Sequence, residues 1–426
     1  MLLLSLPLPL LIAGDWPTYL HDNARLGATS ESLTLPLSPV WTAEPPELLQ
    51  KAWTGPEGRV IEGQQLEARM TFDDAFHVAV VGGRLYYGSS VDHQLRCVDL
   101  VTGETIWSFF TGGPIRLAPT VFEEKVYFGS DDGQAYCLQA KDGALVWSVR
   151  PGPKDDRILG RQQMVSRWPV RTSILIHPDK EHGAVAYFGA GIFPHENVFL
   201  VAVRASDGRP VWKLDNLSQA NAARNDLSPQ GYFLANDDLL VVPSGRSLPA
   251  VFDRLTGEFL HKDKHAWRST AGGVVGGTQA LLADGQIYSW GAHHILAMDQ
   301  KTGDVGYGWF AGHQLAIAGD AAYAANGAEI ARLDRLTYAE NSRVRHAQET
   351  RLAELSTKLK GAKEPDAAAI KTQMREIQAE YDSLAEVGYV WKTPSTHESQ
   401  LIVAGDQLIS GGQNEVAIYD MKSGRP

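Results

Sequence analysis

One pattern governs what this chain can become: a unit of about 40 residues that recurs along most of its length. Residues 84–107 read RLYYGSSVDHQLRCVDLVTGETIW and residues 125–147 read KVYFGSDDGQAYCLQAKDGALVW. Gly103 and Gly143 lie 40 positions apart, as do Cys97 and Cys137, and Trp107 and Trp147. The frame returns more loosely in a segment ending at Trp212 and around Gly257, Gly303, Thr337 and Gly424, which makes seven copies. Within each copy apolar residues alternate with polar ones, Gly and Asp mark reversals, and a turn of the D-x-x-T-G type precedes a last strand that often carries Trp. Period-two alternation buries one face of a strand, and Asp-Gly and Thr-Gly favour tight antiparallel reversals. A four-strand unit of this length cannot bury its faces alone and stacks radially on copies of itself, so each copy is predicted to be a propeller blade.

Composition agrees with many short strands: 41 Gly and 22 Pro supply turn conformations at low steric cost. With 39 Lys and Arg against 50 Asp and Glu, the net charge is −11, and no run of five basic residues occurs. Neutralising phosphates requires a basic face, so no nucleic-acid partner is expected. The apolar run Met1–Ala13 is too short to span a bilayer. It ends in small residues before the polar Asp15-Trp16-Pro17, which predicts a signal peptide over residues 1–13 and a periplasmic or otherwise exported protein with no integral membrane segment after cleavage. No Cys follows it for lipid attachment.

The units resemble the pyrroloquinoline-quinone (PQQ) propeller repeat, whose A-x-D-x-x-T-G-x-x-x-W pattern is matched by Val98-Asp99, Thr102-Gly103 and Trp107. The stretches GAGIFP (189–194), SPQGY (228–232) and VPSGRSLPAVFDR (242–254), with the N-terminal DWPTYLHDNARLGAT, resemble exported, planctomycete-like bacterial members of this class. The resemblance implies an all-β, PQQ-like (quinoprotein alcohol dehydrogenase-like) β-propeller over residues 76–426, preceded by an N-terminal segment, 14–75, that carries a blade-closing strand. Val40-Trp41 is similar to the fourth strand at Val211-Trp212, whereas the chain stops at Ser423-Gly424-Arg425-Pro426. Either the N-terminal strand completes the seventh blade or an eighth blade is absent. The family implies eight blades, and truncation is the expected case.

One segment breaks the β rhythm. From Thr337 to Val387 the composition turns to Ala, Glu, Lys, Arg, Gln and Leu, all helix formers. Thr337 with Glu340 fits a capping box, Gly361 and Gly388 fall where C-terminal caps belong, and Pro365-Asp366 opens a second helix. A helical, coiled-coil-like hairpin is thus predicted at 338–387, inserted in blade six, with Leu352, Leu355 and Leu359 facing Ile370, Met374, Ile377, Tyr381 and Leu384.

Equivalent positions in adjacent blades diverge beyond disulfide reach, so Cys97 and Cys137 are expected as buried free thiols. The thirteen His show no metal-binding spacing, His293-His294 is read as an exposed turn, and Asp131-Asp132-Gly133 is read as a turn, not a calcium loop. Residues preceding each innermost strand face the funnel of a propeller. They include Asp73, Asp74, His77, Arg116, Arg167, Arg171, Asn225, Asp226, Ser228, Trp267, Arg268, His313, Gln314, His397 and Glu398. Of these, Asp74, His77, Arg116, Arg171, Asn225, Asp226, Trp267, Arg268, His313 and His397 are the candidate ligand-binding set, and the arginines suit an anionic or polar ligand. The connection over residues 151–170 is placed over one mouth as a lid.

PQQ and calcium are the cofactors that the resemblance implies. The Glu, Asn and Asp calcium ligands, the Trp beneath the quinone and the adjacent-cysteine ring of quinone-dependent alcohol dehydrogenases match no motif here. The expectation is therefore a non-catalytic propeller that binds protein partners through a propeller face or the helical hairpin, similar in architecture to the propeller component of the outer-membrane barrel-assembly machinery. The alternative is a PQQ- and calcium-dependent oxidoreductase.

Overall fold

The computed structural model describes residues 14–44, 48–52, 60–61, 64–65, 72–160, 162–192, 196–215, 217, 227–245, 247–262, 279–290, 294–312, 314–397 and 399–426. Among them lie seven four-stranded sheets in chain order. The first holds Val78–Val81, Arg84–Gly88, Gln94–Asp99 and Thr105–Phe110; the second Thr120–Phe122, Lys125–Gly129, Ala135–Gln139 and Leu145–Val149. The third to sixth begin at Leu175, Leu234, Ala280 and Gln314, and each is an antiparallel meander. In the seventh, Gln400–Ala404, Gln407–Gly412 and Glu415–Asp420 form the meander, and Ala28–Thr29 adds in parallel to its first strand.

Alternation along the strands supplies the apolar faces that bring neighbouring sheets together. Tyr86, Leu95, Phe128 and Leu138 pack between sheets one and two; Tyr127, Phe188 and Val201 between two and three; Tyr187, Phe233 and Phe252 between three and four; Tyr323, Leu401 and Leu408 between six and seven. As expected, Cys97 and Cys137 are buried free thiols in this packing. Burial pushes the Cys137 thiol up to about 12.

The last strand of one sheet is pinned to the turn of the next by a single repeated contact. Trp107 donates its indole N–H to the Ala140 carbonyl (3.0 Å), Trp147 to Ala205 (2.9 Å), Trp212 to Arg254 (3.1 Å) and Trp391 to Met421 (3.0 Å). His261 takes the same place against Gln300 O (2.9 Å). Each ring lies on the turn glycine of the receiving sheet, Gly143, Gly208, Gly257, Gly424 or Gly303. There φ is between +68° and +78°, and a Cβ would come within 2.5–3.0 Å of a ring atom. Glycine is required at these turns by backbone conformation and by ring contact together.

Val40-Trp41 corrects an expectation. These residues form no strand, yet Trp41 donates to Leu100 O (2.9 Å) and covers Gly103 as the other tryptophans cover theirs. The side chain keeps the docking role without its strand, because the strand that joins the seventh sheet is Ala28–Thr29, on the opposite, inner side.

The helical hairpin comprises α1 (Arg335–Leu359) and α2 (Asp366–Ser383). It starts earlier than a capping box at Thr337 implies, and the reason is the repeat itself. In ordinary turns the last Asp of the third strand accepts a hydrogen bond from the amide three residues on, as Asp99 does from Thr102 (2.8 Å) and Asp299 from Thr302 (2.9 Å). Asp334 makes the same bond to the Thr337 amide (2.9 Å), but there it caps α1. Gly388, with φ +93°, lies where the chain re-enters the sheet rather than on a helix end, and its carbonyl accepts from Asp334 N (2.8 Å). The Leu355 and Ile377 side chains are buried, Arg345 lies over the Tyr381 ring (4.2 Å), and Tyr381 donates to Glu349 (2.5 Å). Among the described residues no helix is long and apolar enough to cross a membrane.

Candidate functional site

Residues 16–29 occupy the axis, where the first strands of neighbouring sheets come together. Trp16 pairs with Val80 of sheet one (2.6 and 2.9 Å), Pro17 O accepts from Val121 of sheet two (2.8 Å), and the Asn23 side chain donates to Ile176 O of sheet three (2.8 Å). Asn23 O then accepts from Ala235 of sheet four (3.1 Å), Ala24 O from Leu282 of sheet five (2.8 Å), Leu26 O from Ile317 of sheet six (3.2 Å) and Gly27 O from Val403 of sheet seven (2.8 Å). One stretch therefore touches the first strand of all seven sheets in order. Residues 29–33 follow the seventh sheet to Gly405 and Gln407, and Trp41 returns to sheet one.

Arg25 is the hub of this stretch. It is fully buried and donates from Nε to Phe233 O (3.1 Å) and from Nη1 to Thr18 Oγ1, Tyr19 O and Asp22 O (2.8–2.9 Å). Burial lowers its guanidinium to about 10, so it stays protonated at neutral pH. Tyr19 stacks on Tyr232 at 3.6 Å, and His77 meets both rings edge-on. Burial in this aromatic cluster depresses the His77 imidazole to about 4, leaving it neutral.

Sheets one to three build the mouth. Asp131, at the end of the second strand of sheet two, accepts from Arg116 Nε (2.7 Å), Arg171 Nε (2.8 Å) and Arg171 Nη2 (2.9 Å). Arg116 Nη1 also reaches Asp73 Oδ2 (2.8 Å) and the Gln50 carbonyl (2.6 Å), and Asp73 Oδ2 accepts from the Ala52 amide (2.6 Å). All four charged side chains are buried. Burial works to raise the Asp131 carboxyl, but the Arg116 and Arg171 charges outweigh it and hold the group below its ordinary value. For Asp73, burial prevails over Arg116 and the carboxyl is raised. The connection over 151–170 folds into a hairpin, Arg157–Gly160 with Gln163–Ser166. It sits on this mouth through Ser166 N to Asp131 O (2.6 Å) and Gln163 Nε2 to Ser90 O (3.2 Å).

The candidate set is thus divided. Arg116 and Arg171 converge, but on Asp131, which the sequence marked only as a turn residue. Asp74 is exposed and pairs with Lys51 (2.9 Å), while its neighbour Asp73 turns inward. His77 belongs to the axial aromatic cluster. His397 lies apart on sheet seven, bound to Glu415 (2.8 Å). Arg167 pairs with Asp156 (3.1 Å) and Glu196 (2.8 Å) and not with Asp131. Asn225, Asp226, Trp267, Arg268, His313, Glu398 and His293 lie outside the described residues. Sequence reasoning missed Arg25, Tyr19 and the Gln50–Ala52 segment as site residues. For Arg25 and Tyr19 the one signal was the stretch DWPTYLHDNARLGAT that holds them; residues 50–52 carried none.

The quinone and calcium implied by the repeat do not fit the described residues. Among these no group of three or more His, Cys, Asp or Glu converges as metal donors. The two mouth carboxylates face guanidinium groups that would repel a dication, and Tyr19, Tyr232 and Arg25 fill the axis. What the arrangement can do is hold polar groups in fixed directions.

The family described as Outer membrane protein assembly factor BamB matches residues 40–305. The dehydrogenase subunit of quinone alcohol dehydrogenase from Gluconobacter oxydans (strain 621H) is 33% identical over 95 residues, 20% of this chain and 12% of that protein. The subunit from Komagataeibacter europaeus has the same identity, with 13% of its length covered, so the chain spans about an eighth of these relatives. Among solved structures, quinohemoprotein alcohol dehydrogenase from Comamonas testosteroni aligns with a TM-score of 0.53 at 12% identity, over 96% of this chain and 72% of that one. Europium-containing methanol dehydrogenase aligns at 0.53 and 11%, over 96% and 84%. Similarity at this identity shows a common PQQ-type propeller fold.

Proposed function

Because the chain belongs to the family of outer membrane protein assembly factor BamB, which covers residues 40–305, we propose that it is an exported, non-catalytic propeller that serves as a protein-binding or assembly scaffold. The observation that carries the reading is the axial segment: among the described residues, residues 16–29 bond to the first strand of each of the seven four-stranded sheets and fill the axis with the chain itself. In this reading residues 1–13 are a leader, residues 14–75 the clasp, residues 76–426 the propeller, and residues 338–387 an arm that contacts partners. Arms of 25 and 18 residues are about 37 and 27 Å long.

The competing reading, a PQQ- and calcium-dependent oxidoreductase, draws on the quinone alcohol dehydrogenase relatives. Native mass spectrometry and thermal unfolding with saturating PQQ and calcium separate the two. No added mass and an unchanged melting temperature are expected. A stoichiometric quinone adduct with calcium-dependent stabilisation would overturn the scaffold reading.

A further inference from the structure

The mouth already contains a bound peptide segment, supplied by the chain itself. Three main-chain groups of Gln50–Ala52 are held entirely by side chains. The Gln50 amide donates to Ser90 Oγ (3.2 Å), the Gln50 carbonyl accepts from Arg116 Nη1 (2.6 Å), and the Ala52 amide donates to Asp73 Oδ2 (2.6 Å). Ser90, Arg116 and Asp73 are each buried, and Arg116 is fixed from behind by Asp131, itself gripped by Arg171. The other Asp73 oxygen, Oδ1, is buried and accepts no hydrogen bond. Buried acceptors are ordinarily satisfied, so this one is open to another donor. The side chains of the segment contribute less: Lys51 reaches out to the exposed Asp74 (2.9 Å), and Leu48 is 88% exposed.

We infer that the mouth of sheets one to three is a main-chain recognition site for an extended polypeptide, filled in this structure by Gln50–Ala52 as an internal ligand. The inference rests on the scaffold reading and gives it a ligand class. Arg116 reads the carbonyl of one residue and Asp73 the amide two residues later, a pair that any extended peptide without proline or N-methylation at that amide presents. Charge-assisted bonds of this kind are stronger than neutral ones, and the ion pairs behind them keep the donor and acceptor aimed without rearrangement. A partner segment binds by exchanging with residues 50–52, so the internal segment sets a threshold against weak, non-specific peptides.

The test uses the full-length protein and the peptide acetyl-Leu-Leu-Gln-Lys-Ala-Trp-amide, equivalent to residues 48–53. Ala52→Pro removes the amide that Asp73 accepts and vacates the site. Fluorescence titration is expected to show the peptide binding Ala52→Pro at least tenfold more tightly than the unaltered protein. N-methylation of the peptide's Ala amide should weaken binding at least tenfold, because it removes a charge-assisted bond, while a shuffled sequence of the same residues binds within about threefold, because the main chain is unchanged. Equal binding of the N-methylated peptide, or no binding to folded Ala52→Pro, overturns the inference. Should Ala52→Pro not fold, amide exchange on the unaltered protein gives the same decision: excess peptide must accelerate exchange at the Ala52 amide, and an unchanged rate overturns it. Failure here with no quinone adduct leaves the scaffold reading in place, whereas a quinone adduct removes that reading whatever the peptide does.

Discussion

Among single residues, what matters most is where charge is buried and with what. Asp131 holds two guanidiniums at a buried site, so removing its charge takes the carboxylate from Arg171 and leaves Arg116 with Asp73 alone. Asp131→Asn is expected to cost about 3–5 kcal/mol in urea unfolding, the usual penalty for breaking a buried ion pair from one side. His77 makes a second, independent prediction. Its folded value of about 4 lies below the ordinary 6.5, so between these limits the unfolded chain binds the extra proton and stability falls as pH falls. Over that window the loss is up to roughly 3 kcal/mol. Unfolding of His77→Gln measured from pH 7 to pH 4 should lack this component, and a slope equal to that of the parent would remove the assignment.

Elements show how one repeat tolerates variation. In sheet six the turn that elsewhere takes a few residues is opened into α1 and α2, and the transition is possible because an Asp-to-amide bond three residues on is both a turn closure and a helix cap. The hydrogen bond that closes the turn bypasses the insertion, since Asp334 N to Gly388 O (2.8 Å) matches Asp99 N to Glu104 O (2.9 Å) in sheet one. Replacing residues 336–387 by Val-Thr-Gly, the sequence of residues 101–103 in the turn of sheet one, is therefore expected to leave the circular dichroism of the sheets intact. The melting temperature, read by differential scanning calorimetry, should fall by several degrees, because Tyr338 and Ala339 are lost from the core of sheets four to six. A collapse of the ring in this variant would show that α1, through Tyr338 and Ala339 in the core of sheets four to six, is part of the fold and not an appendage.

The whole molecule is held by two different closures. Radial packing joins each sheet to the next through aromatic clusters and the Trp-on-glycine contacts, and a single N-terminal stretch ties the first strands of all seven together at the axis. Because Arg25 gives that stretch four hydrogen bonds inside the core, Arg25→Ala is expected to destabilise by more than about 3 kcal/mol. It should also expose residues 14–44 to limited proteolysis before the sheets unfold. Simultaneous loss of all regions would instead mean that the axis and the sheets form one cooperative unit.

Reading along the chain was enough to recognise the repeated β unit, the helical insertion and the buried, unpaired state of Cys97 and Cys137. Each follows from local information: period-two alternation, turn chemistry, helix propensity, and the regular spacing of like residues. That Arg116 and Arg171 stand just before first strands was legible for the same reason. Which groups share a space was settled by folding alone. That Asp73 and not Asp74 turns inward, that Asp131 binds two arginines from different sheets, and that residues 16–29 circle the axis while Trp41 docks without a strand all depend on contacts between residues from 15 to several hundred positions apart. Such contacts carry no periodic signature, because radial closure of repeats is encoded many times over, whereas the segment filling the axis occurs once and is selected by shape, hydrogen bonding and charge at the centre of the assembled ring.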